Sequence, residues 1–244
     1  MIRYALTDAV CLIRSMYFLI FSVVFSAAFY VMFTAVADQG NGDPGYSTAY
    51  MVAMAVSGSF FGALTGAGIR LGIERGDGWT RQILLTPLTP ARYLAAKSLT
   101  AWLAALPAIL VVFGLGTALN DVSLPIGRWI AVAGICWTGS LVFVTMGILI
   151  GLLSSGDAVQ FVALGVFFPL AMLGGLWFPT DTYPAALRSF DAVLPTTAIR
   201  ELGTSLALHT SGGVARWVVI LAAWALLTAA GAVGLASRVT RTTR

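Results

Sequence analysis

The residues able to do chemistry gather in one stretch of this chain. Arg70, Glu74, Arg75, Asp77, Arg81, Arg92 and Lys97 stand close together, and the text from Ile73 to Lys97 reads IERGDGWTRQILLTPLTPARYLAAK. Apolar runs long enough to cross a bilayer flank it on both sides. A short charged connector with an amphipathic stretch in that position reads as a coupling element and not as a catalytic site. A solvated loop with arginines at a lipid surface is the alternative.

Elsewhere the usual reactive constellations are missing. The chain has one histidine, His209, placed near Ser211 and well away from any apolar centre, where structural polarity is its expected role. No GxxxxGK[ST] phosphate loop occurs, so ATP hydrolysis by that route is excluded. Cys11 and Cys136 lie too far apart in the expected topology to imply a disulfide framework. No cluster of acids, histidines or cysteines suggests a metal site or a membrane-embedded enzyme. Ion-coupled transport commonly needs ionisable groups near the bilayer midplane, and none falls inside the apolar intervals.

The elements that must carry the connector follow from composition. Of 244 residues, 59% are hydrophobic and 10% charged, with a mean hydropathy of +0.90, whereas a soluble domain carries about 25% charged residues. Most of the chain therefore belongs in lipid. The formal charge of +4 is spread thinly, which suits juxtamembrane arginines better than a polyanion-binding stripe, so nucleic acid is not an expected partner. Six intervals approach the ~20 apolar residues that a spanning helix needs: about 17–37, 47–69, 98–119, 129–153, 159–178 and 217–236. The expected fold is an all-α integral membrane protein, one transmembrane domain over residues 1–244 with six transmembrane helices.

Basic residues orient these spans, since short cytoplasmic loops carry the excess of Lys and Arg. Arg3 and Arg14 precede the first span, five basic residues occupy the connector, and Arg238, Arg241 and Arg244 close the sequence. Both termini are thus expected to be cytoplasmic, in a multi-pass protein of the cell membrane. Leu6, Val10, Ile13 and Tyr17 recur at helical spacing, which predicts an N-terminal interfacial helix or, failing that, an irregular lead-in.

Small residues and prolines add detail. Gly58, Gly62 and Gly66 repeat at intervals of four, as do Gly147 and Gly151. That spacing lets helix backbones approach closely, either within one subunit or between two. Pro107 and Pro169 are expected to bend the third and fifth spans. The outer segment from Phe178 to Arg216 is broken by Pro179, Pro184 and Pro195. It predicts two half-helices dipping into the interface, with a solvated loop as the alternative, and Trp177 and Trp217 are expected to mark the membrane boundary.

With those residues in place the chain resembles the permease subunits of type-2 ATP-binding-cassette exporters, over nearly its whole length. Glu74, Arg75 and Gly76, then Leu84, Leu85, Thr86, Pro87 and Leu88, then Lys97, fill the places of that family's cytoplasmic coupling loop. Gly174, Gly175, Phe178, Pro179, Pro184, Leu194, Pro195 and Arg200 resemble its step into the outer half-helices. The sequence departs from the pattern at Asp77, Gly78 and Trp79, where a Thr-Leu-Glu-like helix start is common. The resemblance implies a pair of six-span permeases, a homodimer or a heterodimer, on which separate ATPase subunits dock. ATP and Mg would then be held by the ATPase and no cofactor by this chain. In the coupling loop Trp79, Ile83 and Leu84 would offer an apolar face to a groove, with Arg75 and Arg81 meeting acidic groups at its rim. Lacking buried charge, the spans favour a hydrophobic or amphipathic cargo, such as a drug, natural product or lipid, moved outward. A six-span channel or scaffold without ATP coupling is the alternative function.

Overall fold

A computed structural model of the chain describes residues 16–38, 44–78, 82, 89–180, 183–210 and 213–242. Among the described residues the regular structure is entirely helical. In hydrocarbon every backbone N–H and C=O must be satisfied within its own segment, which a helix does and a lone strand does not. In chain order the helices are α1 (Met16–Asp38), α2 (Pro44–Leu64), a π-helical turn (Thr65–Ile69), α3 (Arg70–Gly76), α4 (Pro90–Ala104), α5 (Leu106–Asn120), α6 (Ile126–Leu153), α7 (Ala158–Leu173), α8 (Ala185–Asp191), α9 (Pro195–Leu208) and α10 (Val214–Thr242).

Among the described residues four helical runs are long and apolar enough to cross a membrane: Gly45–Gly76, Ala91–Asn120, Ile126–Leu153 and Val214–Ala236. Two shorter apolar stretches, Ile20–Val36 and Ala158–Leu173, accompany them. The run Gly45–Gly76 is the shaft of the molecule, and α1, α5, α6, α7 and α9 all pack on α2. Phe60 of α2 stacks on Phe143 of α6 with centroids 4.0 Å apart and meets Phe167 of α7 at 4.9 Å. By contrast α10 packs on α6 and α9 along one side and exposes Val218, Val219, Leu226, Leu227 and Val233. That outward apolar surface is what a lipid-facing helix presents.

Several expected boundaries shift. The second span was expected to end near residue 69, yet helix continues to Gly76 through the π turn. Its 32 residues reach roughly 48 Å at ~1.5 Å per residue, against a hydrocarbon core of ~30 Å. The charged connector consequently shrinks to 77–89, with Glu74, Arg75 and Lys97 on helices. Thr89 caps α4, its Oγ1 accepting from Arg92 N at 3.4 Å, and Pro90 occupies the first turn where its missing N–H costs nothing. The third span is interrupted at Ala105, two residues before Pro107, and Pro169 lies inside α7. The fifth span, expected to reach residue 178, loses its helix after Leu173 because Gly174 and Gly175 turn the chain, Gly175 with a φ of +66°.

The five spaced glycines all lie at helix contacts inside this chain. A Cβ on Gly58 would stand 2.7 Å from Ala108 Cβ, one on Gly62 3.2 Å from Ala104 O, and one on Gly66 3.4 Å from Ala101 Cα. Gly147 and Gly151 close on the shaft, where a Cβ would lie 2.8 Å from Leu64 O and 2.6 Å from Gly68 O respectively. The expected interfacial helix with Leu6, Val10 and Ile13 lies outside the described residues, as does Cys11. Cys136 is a buried free thiol in α6.

Candidate functional site: the two ends of the bundle

At the connector end, charged side chains tie three helices together. Glu74 on α3 and Lys97 on α4 form an ion pair, Lys97 Nζ donating to Glu74 Oε1 while Tyr93 Oη donates to Oε2. Both carboxylate oxygens are therefore engaged. Lys97 is fully buried and the Glu74 side chain is 19% exposed, so the pair is largely withdrawn from water. Tyr93 and Lys97 sit one turn apart on α4, which puts both on the face turned to α3.

Arg75, the next residue of α3, reaches α6 instead. Its Nη1 donates to Gly151 O at 2.7 Å and also to Leu152 O. The last carbonyls of a helix have no intrahelical donor and carry the negative end of its dipole, so a guanidinium satisfies both needs. Beside it Gly156 N donates to Gly72 O at 3.1 Å, and Gly76 packs against Gly156 so closely that a Cβ there would lie 2.8 Å from Gly156 N. The turn between α6 and α7 is thereby docked on α3. Of the expected coupling residues, Glu74 and Arg75 are thus engaged within the bundle. Trp79, Arg81, Ile83, Leu84, Thr86 and Pro87 lie outside the described residues.

The opposite end is built mostly on neutral groups and backbone carbonyls, with the Arg200–Glu201 ion pair beside them. Past Gly175 the chain turns inward, so that Trp177 is buried against Phe25, Phe29, Phe167 and Phe168. Its Nε1 donates to Ser57 Oγ at 3.3 Å, and Tyr50 Oη donates to its carbonyl at 3.1 Å. This corrects the boundary role expected of Trp177: the indole finds its polar partners inside the fold. Trp217 is half-buried, with the Arg216 guanidinium 4.9 Å from its ring centre.

The two half-helices are α8 and α9. Pro184 precedes α8, whose residues are all accessible to some degree, with Phe190 62% exposed. Pro195 opens α9, which buries Thr196, Thr197, Ala198, Ile199 and Leu202 against α6, α2 and α10. So α9 is part of the bundle and not a surface piece. Thr196 Oγ1 donates to Leu170 O at 3.0 Å, Arg200 Nε to Gly174 O at 3.3 Å, and Arg200 Nη2 lies 2.9 Å from Glu201 Oε1. Tyr183 Oη donates to Met172 O. Burial pushes the Tyr183 phenol up, with Asp191 adding to the rise and Arg200 opposing it. Phe178 and Pro179 are exposed, Phe178 meeting Phe33 edge-on at 6.2 Å.

Between the ends runs a file of aromatic rings. Phe21, Phe25, Phe29 and Phe33 climb α1 with successive centroids 5.4, 4.3 and 5.7 Å apart. Phe61, Trp177 and Tyr50 join it from the neighbouring elements at 5.1, 5.7 and 5.3 Å. Sequence reasoning missed this file, although four phenylalanines at a spacing of four were there to find it. It also missed Tyr93, which only the pairing of α3 with α4 brings to Glu74. Among the described residues no group of three or more His, Cys, Asp or Glu side chains converges as a metal site.

Comparison with known proteins supplies the remaining context. Residues 26–235 match the family model described as "ABC-2 family transporter protein". The chain is 29% identical over 218 residues to a Bacillus subtilis (strain 168) protein named "Putative transport permease YvfS", a match covering 88% of each sequence.

Proposed function

We propose an export function for this chain, which belongs to the ABC-2 family of transporter proteins and is a transmembrane permease subunit of an ABC transporter. A transport subunit of this kind moves cargo and leaves ATP hydrolysis to another protein. In our reading a separate ATPase, carrying ATP and Mg, docks on the connector 77–89. A second permease copy completes the pathway, and both termini face the cytoplasm of a cell whose plasma membrane holds six spans of this chain.

The observation that carries the coupling is the bracing of the connector at both its ends. Glu74 and Lys97 join α3 to α4, and Arg75 joins α3 to α6. A force applied to 77–89 therefore meets three helices at once and not two frayed ends. The file of partly exposed rings on α1 supports a hydrophobic or amphipathic cargo, since stacking and apolar contact attract such molecules without charge.

The test uses Arg81→Glu with Ile83→Asp. These changes reverse one charge and place another on the docking face, raising the desolvation cost of docking against an ATPase groove by on the order of a few kcal/mol. The ATPase should no longer co-purify and accumulation of hydrophobic compounds in cells should rise, while membrane insertion persists. A variant that keeps ATPase association and export would overturn the docking assignment.

A further inference from the structure

The third apolar segment is one span by length and two bodies by packing. α4 packs on the π turn, α6 and α2, whereas α5 packs chiefly on α2 and α1. Between them the helix ladder breaks: Ala105 N bonds to Trp102 O at 3.3 Å, and Pro107 has no N–H to offer Leu103 O.

Three residues before the break, Trp102 is locked to Trp137 of α6. The two indoles are parallel within 3°, with centroids 4.0 Å apart. Trp102 Nε1 donates to Trp137 O at 2.8 Å, and Trp137 Nε1 donates to Trp102 O at 3.0 Å. Each ring uses its single donor on the other helix's backbone. The Trp102 carbonyl, which has two lone pairs, takes both the indole and the displaced Ala105 N–H.

The surface behind the break is smooth. Gly58 and Gly62 of α2 and Gly66 of the π turn face Ala108, Ala104 and Ala101 in turn, so no side chain projects into the step from those positions.

We propose that α4 is a lever, braced to α6 by Trp102 and Trp137 and to α3 by Glu74 and Lys97, which swings against α5 at Ala105 on the glycine track of α2. The mechanical part rests on the fold. Its use in export rests on the permease reading above.

Paired spin labels on the full chain in lipid nanodiscs test it, with Cys11→Ser and labelled chain diluted into unlabelled chain so that distances within one chain are read. Leu99→Cys with Leu119→Cys spans the step, and Leu99→Cys with Ile130→Cys spans the brace; all three positions are exposed. The distance distribution across the step should be the broader one. Pro107→Ala, which returns a donor to Leu103 O, should narrow it and leave the other unchanged. Trp102→Phe with Trp137→Phe keeps the rings, removes both donors, and should broaden the distribution across the brace. With the ATPase present, Pro107→Ala should lose export while ATP hydrolysis continues. Equal wild-type distributions, a comparison that needs neither variant to fold, would overturn the lever. If no ATPase associates but the distributions differ, the coupling reading falls and the lever stands. If ATPase-driven export is found with like distributions, the lever alone falls.

Discussion

The connector end and the half-helix end solve one problem, holding helix termini in place at a membrane surface, by opposite means. The first spends formal charges on it: Lys97 and Glu74 bind each other with Tyr93 on the same carboxylate, and Arg75 binds the last carbonyls of α6. The second uses a set of mostly neutral bonds from Tyr50, Thr196 and Trp177, with rings packed around them. The difference teaches how each end should fail. A buried ion pair is costly when one member is removed, because the survivor stays uncompensated, whereas a neutral bond lost from a group of several costs little more than itself.

Lys97→Met puts the largest strain on that comparison. It removes a fully buried ammonium from a carboxylate only 19% exposed, and should cost about 3–5 kcal/mol, read as a large drop in thermal stability of the purified chain. Adding Glu74→Gln should recover part of the loss. If Lys97→Met costs no more than a threonine change at the opposite end, the contrast between the ends is broken.

Gly151→Ala sharpens it from the packing side. A Cβ there would sit 2.6 Å from Gly68 O, a backbone atom that cannot rotate away, so a cost of roughly 1–3 kcal/mol is expected. The same melting measurement checks it, and a neutral result would show that α6 can shift relative to the shaft.

Thr196→Val should be milder. It deletes one donor to Leu170 O, which still receives Gly174 N at 3.0 Å, so about 1 kcal/mol is expected. Smallest of all is the effect of alkali on Tyr183. Its phenol is raised by burial in the folded chain, so the associated stability is complete below the ordinary phenol value of 10.0 and lost as pH climbs above it. Tyr183→Phe should remove that component of the pH-dependent melting, and an unchanged profile would count against it.

Much of this arrangement was readable in advance. Apolar length placed α1 and α6 closely, 17–37 against Met16–Asp38 and 129–153 against Ile126–Leu153, because hydrocarbon thickness sets a helix length directly, whereas α2, α5, α7 and α10 each differ from the expected interval by several residues at one end. Pro107 and Pro195 marked the breaks beside them, whereas the turn at Gly174 falls inside an interval expected to run to residue 178. The ends of charged helices were not readable. Arg70, Glu74 and Arg75 look like loop in a hydropathy trace, and they are helical because Lys97, Tyr93 and α6 receive them. Trp177 looked like a boundary anchor for the same reason, since the preference of indole for an interface is also met by Ser57 inside the bundle.

What the sequence by itself determined is the solvent and the family: an all-helical chain in lipid, with a charged connector between its second and third apolar runs and a proline-broken segment before its last. These are properties of local composition, and each residue contributes without reference to distant ones. Only the tertiary structure decided who meets whom. Glu74 finds Lys97 across 23 residues, Arg75 finds Gly151 across 76, and Trp102 finds Trp137 across 35. A side chain's type states that it needs a partner, but burial leaves many partners equally distant along the chain, and helix packing alone selects one.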